Sequence, residues 1–441
     1  MRRIRAFYSQ YYYHRMSESS VPKAVMPSKA KAFNYNLEAL RGIAALVVVW
    51  GHIIINNSRL DPGYAPTGVF SFVAPSHASV LLFFILSGYV ISLAHKNALT
   101  KENILLYLKK RFVRIYPIYF LCLLLALVVA NTNYSTTTVI SHLTITEGIF
   151  APVIRALSPA WSLTYEIVFY LLFIPISFFH IKPILALFIS VAIGLCSICF
   201  YPSFSFPVLA SYGFGFAFWL FGLILSNYFR TKIPEFKYSS ILSLLFLFLI
   251  IEKFDGVVTI FNRTVVAIFN YDLSQLTIGQ VGAVALRDFV YLPYCLLIII
   301  EFSGHKFKYH QAIKIILMLL PASTFYAYYK HIDSLLLLPL VLPILFYGLS
   351  WLLFMFSTKT ENISRWLIKK LILTGSISYA LYILHFPILY KIGSIQEFSG
   401  SSYTFWLRLI YFLTLAISGA WILEVKFQPW VKKIFFPAQS D

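Results

Sequence analysis

Arg41 and His52 stand eleven positions apart in the apolar stretch RGIAALVVVWGH. An arginine grips anions, and an imidazole moves protons near neutral pH. At about 100° per residue, a helix brings His52 back to within ~20° of Arg41 after three turns. Glu38 falls roughly 40° from His52 by the same arithmetic. One helical stripe then carries all three side chains, with about 16 Å between Arg41 and His52. A stripe of that kind cannot face lipid.

Other polar groups stand in similarly apolar surroundings. Glu166 in PAWSLTYEIVFY lies about five residues inside one end of its apolar run, where a carboxylate is costly unless paired or hydrated. Its bland reading is a structural helix-to-helix hydrogen bond. His385 in SYALYILHFPIL is the second histidine well inside an apolar run, and a packing role is as natural for it as a chemical one. Arg111 and Arg114 in KKRFVRIYPIY share a helix face at i, i+3, which suits a bidentate grip on phosphate, although a basic helix end explains them too. His77, His95, His180, His305, His310 and His331 fall at helix ends or in short loops. No group has zinc-ligand spacing, so no metal is expected.

The elements that must position these residues are membrane helices. The 441 residues are 59% hydrophobic and only 12% charged, with a mean hydropathy of +0.76. Soluble domains carry about 25% charged residues, so the expectation is an integral, multi-pass membrane protein. The net charge of +19 does not point to nucleic acid, because much of it sits in a basic N-terminal tail with Arg2, Arg3, Arg5, Arg15, Lys23, Lys29 and Lys31. That tail has no apolar core of signal-peptide length, so it reads as retained. Cys122, Cys196, Cys199 and Cys295 all lie in apolar segments, which argues against a disulfide framework.

Apolar runs near 36–56, 77–95, 112–130, 161–179, 183–201, 207–229, 238–251, 287–302, 311–329, 332–357, 372–391 and 404–424 predict an all-α bundle of 10–12 transmembrane helices. The runs at 238–251 and 311–329 are the weakest. With the N-terminus inside and twelve alternating helices, 27 Lys or Arg fall in inner segments and 7 in outer loops, which predicts two cytoplasmic termini. The predicted organisation is a basic tail over 1–35, a transmembrane domain over 36–424 and a cytoplasmic tail over 425–441. On that topology Arg41, Arg111 and Arg114 lie near the cytoplasmic face, and His52, Glu166 and His385 in the outer half.

Five stretches in this order resemble the acyltransferase-3 family of integral membrane O-acyltransferases. They are NLEALRGIAALVVVWGH (36–52), LFFILSGYVIS (82–92), RFVRIYPIY (111–119), PAWSLTYEIVFYLLF (159–173) and SISYALYILHFPI (376–388). The resemblance implies a cytoplasmic acyl-CoA donor, usually acetyl-CoA, with no permanently bound cofactor. It implies an acceptor hydroxyl on a surface glycan such as O-antigen or exopolysaccharide, and a home in the bacterial inner membrane. Its arginine–ten residues–histidine motif falls on Arg41 and His52, its R-x-x-R on Arg111 and Arg114, and its acidic residue after W-S-L on Glu166.

On this reading His52 takes the acceptor proton as general base, while Glu166 orients it or positions the hydroxyl. Arg41, Arg111 and Arg114 bind the donor. Glu38, Ser87, Trp161, Tyr382 and His385 are supporting candidates. Trp161, Tyr165 and Tyr170 suit sugar stacking, although an interfacial aromatic belt explains them at least as well. The competing readings are a transporter or flippase of an anionic glycan or lipid intermediate, and an assembly subunit of an export system.

Overall fold

The computed structural model describes residues 35–55, 59–200, 207–269, 283–329 and 338–437. The basic tail lies outside these residues apart from Tyr35. So do Lys330, His331 and the last four residues.

Among the described residues every regular element is helical. The helices are α1 (Tyr35–Ile55), α2 (Ser76–Ala94), α3 (Lys101–Ala130), α4 (Thr136–Leu143), α5 (Trp161–Phe178), α6 (Pro183–Cys199), α7 (Pro207–Tyr228) and α8 (Tyr238–Phe248). They continue as α9 (Gly256–Phe269), α10 (Leu292–Phe302), α11 (His310–Tyr329), α12 (Val341–Met355), α13 (Ser357–Gly375), α14 (Ser378–Gly393), α15 (Ser402–Trp421) and α16 (Gln428–Phe435). In a bilayer every backbone polar group must be satisfied within the protein, which an α-helix does by itself.

Among the described residues six helical stretches are long and apolar enough to cross a membrane, or seven if the α12–α13 pair, bent by 118°, is one span. The expected all-α membrane bundle is borne out, and within the described residues not every apolar run reaches full span length. The apolar runs of the middle of the chain are helical, but α8 and α10 have eleven residues each. Eleven residues reach about 16 Å, roughly half a hydrocarbon core. Two helices also appear where loops were expected, namely α4 and α9. The basic segment expected as a loop over 358–370 is most of α13.

Close helix crossings set the frame around the polar residues. A Cβ on Gly88 of α2 would lie 2.0 Å from the Trp219 carbonyl of α7, and one on Gly222 would lie 1.9 Å from that of Ile85. The two backbones therefore touch through glycine. Likewise a Cβ on Gly375 would lie 2.1 Å from the Glu38 carbonyl, which locks α13 against the Glu38–Arg41 end of α1.

At the other end of α1 the following loop is tied to the loop that follows α14. The buried Asp61 accepts from the Gly400 amide (2.7 Å) and the Thr404 hydroxyl (2.6 Å). Arg408 donates to five backbone carbonyls: Leu60, Ile392, Ile395, Glu397 and Phe398. A guanidinium at the carbonyl end of α14 also complements the helix dipole. These ties fix the helix of His52 relative to the helix of His385.

Candidate functional site

His52 and His385 meet. His52 Nδ1 and His385 Nε2 are 2.9 Å apart, with the rings 5.2 Å between centroids and 10° from parallel. Phe386 sets its ring edge-on to both imidazoles, and the Arg59 guanidinium caps that ring at 4.7 Å. His385 is fully buried, whereas His52 keeps partial access.

The proton positions follow from one backbone contact. His385 Nδ1 lies 3.0 Å from the Leu381 carbonyl, which can only accept. Nδ1 must therefore carry hydrogen. In neutral His385 that leaves Nε2 as the acceptor, so His52 Nδ1 is the donor across the 2.9 Å bond. His52 Nε2 then holds its lone pair. A buried partner that fixes the tautomer of a second imidazole is what a general base requires.

Glu166 belongs to a different layer. Six 3-10 residues (Arg155–Ala160) precede α5, so Glu166 lies midway along the apolar stretch Arg155–Phe178, deeper than its sequence position suggested. The Tyr170 hydroxyl donates to Glu166 Oε1, and Ser87 Oγ donates to the same atom at 3.2 Å. The Trp219 indole N–H reaches Ser87 Oγ at 3.3 Å. The Arg111 guanidinium lies over the rings of Tyr170 (5.5 Å) and Tyr107 (5.6 Å), and its Nε is buried without a hydrogen-bond partner among the described residues. These contacts join Glu166 to Arg111. The contact orienting His52 comes from His385.

Tyr382 stands between the two layers. Its hydroxyl bonds Ser162 Oγ at 2.8 Å, and its ring lies 6.3 Å from His385. At the far end of α1, Arg41 pairs with Glu38 at 3.1 Å, both partly exposed.

Arg114 does not stand beside Arg111 as a second open cation. Glu424 holds it at 2.6 Å, with the Tyr379 ring 5.3 Å beneath. Glu424 lies in the π-helical segment Ile422–Phe427 that joins α15 to α16, and Gln428 anchors that joint to the Val113 carbonyl at 2.7 Å. Sequence reading missed Glu424, since its position near an apolar run's end resembles any terminal charge. A π-helical turn inside an α-helix is a frequent companion of functional positions, but no sequence pattern announced it.

Two histidines set aside as loop or helix-end residues are also paired. His77 Nε2 lies 2.8 Å from Asp288, and His310 Nε2 lies 2.8 Å from Glu301, which Lys314 and Ser240 also reach. All four cysteines are free thiols, with Cys196 and Cys199 on the exposed face of α6. Among the described residues no cluster of three or more His, Cys, Asp or Glu is arranged to hold a metal.

Residues 34–332 match the family model described as an acyltransferase domain (Acyl_transf_3), which covers about two thirds of the chain. The chain belongs to this acyltransferase family. It is also 38% identical over 91 residues to "Protein 2 in picA locus" of Rhizobium radiobacter, a match that covers 20% of this chain and 41% of that protein. No solved structure matches. His52, Glu166 and the three arginines fall inside the family match, whereas His385 and Glu424 fall beyond its end.

Proposed function

We propose that this membrane acyltransferase moves an acyl group, acetyl by family habit, from acyl-CoA to a hydroxyl of an extracytoplasmic glycan such as O-antigen or exopolysaccharide. The setting is the inner membrane of a bacterium, with both termini in the cytoplasm. The observation that carries the reading is the His52–His385 hydrogen bond at one end of the Arg41–His52 helix.

The acceptor oxygen attacks the thioester carbonyl as its proton passes to His52 Nε2. The C–S bond then breaks, and the imidazolium returns the proton to the departing thiolate. The products are an ester and free CoA thiol. His385 accepts the Nδ1 hydrogen of His52 throughout, which keeps Nε2 aimed at the hydroxyl and spreads the charge that develops. Arg111 and Arg41 suit the phosphates of the donor. Arg114 acts there only if Glu424 releases it. Glu166, held by Tyr170 and Ser87 beside Arg111, lines the route between donor and base.

The test is release of CoA thiol from acetyl-CoA by the purified chain in lipid nanodiscs, with base-labile acetyl on surface glycan as the cellular readout. His52→Ala is expected to lose 10²–10⁴-fold in kcat, the usual range for a general base. His385→Leu is expected to lose on the order of 10²-fold, and His385→Asn to regain part of that, because its carbonyl oxygen can accept from His52. Wild-type release of thiol that survives His52→Ala undiminished would overturn the assignment of the base. A wild type that cleaves no thioester would overturn acyl-CoA as donor.

A further inference from the structure

A second polar group lies at the His52 end of the bundle, outside the machinery described above. Three elements build it: the first turn of α2, the 3-10 segment Leu286–Tyr291 ahead of α10, and the first residue of α5. Asp288 is buried, and its Oδ2 accepts from the Ala285 amide at 2.8 Å as well as from His77 Nε2 at 2.8 Å. A carboxylate only accepts, so His77 Nε2 carries hydrogen, and in the neutral ring Nδ1 is then the acceptor nitrogen. The His77 side chain is 31% exposed and that of Asp288 only 4%, so the pair presents its imidazole.

Trp161 lies alongside, its indole 22° from parallel to the His77 ring and 6.5 Å away between centroids. Phe84 and Tyr165 meet the indole edge-on and hold it as a fixed, partly exposed plate.

The backbone ties this group to the histidine pair. Gly51, next to His52, packs so closely on Ser76, next to His77, that a Cβ on it would lie 2.8 Å from that of Ser76. Ser162, next to Trp161, bonds Tyr382, whose ring neighbours His385. His77 and Trp161 are thus each one residue from a contact that leads to His52 or His385, and Asp288 joins them through its bond to His77.

We propose that His77, Asp288 and Trp161 form the subsite that holds the ring of a carbohydrate acceptor beside His52. An indole face takes the apolar C–H face of a pyranose, and an imidazole fixed by a buried carboxylate bonds its hydroxyls. An acceptor with no hydroxyl besides the reacting one would leave the imidazole's hydrogen-bonding capacity unmet. The subsite therefore selects polyhydroxylated rings over lipid alcohols. It deepens the acyl-transfer reading by naming where the glycan binds, and its binding is measurable with no donor present.

The probe is methyl β-D-glucopyranoside, with cyclohexanol as a ring-sized control, titrated into the full chain in nanodiscs and read by saturation-transfer NMR. The glycoside is expected to bind and cyclohexanol not, with affinity reduced 10-fold or more by Trp161→Ala and by Asp288→Asn, and restored by Trp161→Phe. Because a variant can misfold, the wild type is also labelled with a diazirine-bearing glycoside, and the label is expected on peptides containing Trp161 or Asp288. Glycoside binding that is absent, or equal to that of cyclohexanol, overturns the subsite. So does labelling confined to other segments. If thioester cleavage proceeds while either negative result holds, this inference falls alone. If binding behaves as expected but no thioester is cleaved, the site stands and the acyl-transfer reading falls.

Discussion

A single buried carboxyl illustrates how far a residue's neighbourhood decides its chemistry. Glu147 lies outside the membrane-crossing stretches, between α4 and α5, and is fully enclosed. The Tyr119 hydroxyl donates to its Oε1 at 3.2 Å, while Oε2 is buried without a partner among the described residues. Burial pushes this carboxyl up to about 8, against an ordinary value of 4.5. The folded chain thus keeps the proton that the unfolded chain has already lost. Stability contributed at this position is full below pH 4.5, falls as pH rises from there, and levels off above about 8. Glu147→Gln keeps an acceptor for Tyr119 and has no charge to bury. Its unfolding temperature in nanodiscs is expected to match wild type near pH 4.5 and to exceed it increasingly towards pH 8, by the equivalent of about 1–3 kcal/mol. A difference independent of pH would mean that the carboxyl ionises freely in the folded state.

At the scale of the element, the frame depends on where helices lack side chains. Gly88 and Gly222 let α2 and α7 touch backbone to backbone. That crossing carries Ser87 and Trp219, and through them the surroundings of Glu166. Gly348 of α12 is a natural control, since a Cβ there meets nothing within 4 Å. Gly88→Ala is expected to cost about 3 kcal/mol or more, because a carbonyl 2.0 Å away cannot yield without parting the helices. Gly348→Ala is expected to be neutral, or stabilising by up to about 1 kcal/mol, through helix propensity. Thermal unfolding of both variants checks the contrast, and equal losses would mean that the α2–α7 contact tolerates widening. The joint of α15 with α16 adds a second lesson. Its π-helical turn brings Glu424 onto Arg114, so a segment remote in sequence controls one of the cations that suit a phosphate.

For the whole molecule, the distribution of charge predicts which end of the bundle faces the cytoplasm. Lys109 and Lys110 lie in the first third of α3, and the loop of Glu397 and Ser399 lies with the far ends of α1 and α14. The excess of Lys and Arg predicts that the Lys109 and Lys110 end lies inside. In a background with all four cysteines replaced, Ser399→Cys is expected to react with a membrane-impermeant maleimide in intact cells. Lys110→Cys is expected to react only after permeabilisation. The reverse pattern would turn the donor and acceptor ends around. The buried knot of Glu301, His310, Lys314 and Ser240 joins α8, α10 and α11 away from the histidine pair. Removing the Lys314 or Glu301 side chain would break a buried ion pair and strand a charge, which typically costs about 3–5 kcal/mol.

The sequence by itself determined the membrane class, most helix positions and the residues worth watching. Hydropathy acts locally along the chain, so a run such as 77–95 reads directly as α2, and an intramembrane Arg, Glu or His stands out wherever it packs. Helical spacing also put Glu38, Arg41 and His52 on one stripe before any neighbour was known. Partnership was not legible, because it depends on contacts between positions hundreds of residues apart. His52 meets His385 across 333 residues, and Arg114 meets Glu424 across 310. Glu166 looked like the natural companion of His52. The added 3-10 turn ahead of α5 sinks it to the level of Arg111, and Tyr170 and Ser87 take its oxygen. Only the packing of helices through glycine, and the Asp61 and Arg408 ties between loops, decided that the group orienting His52 is a second imidazole.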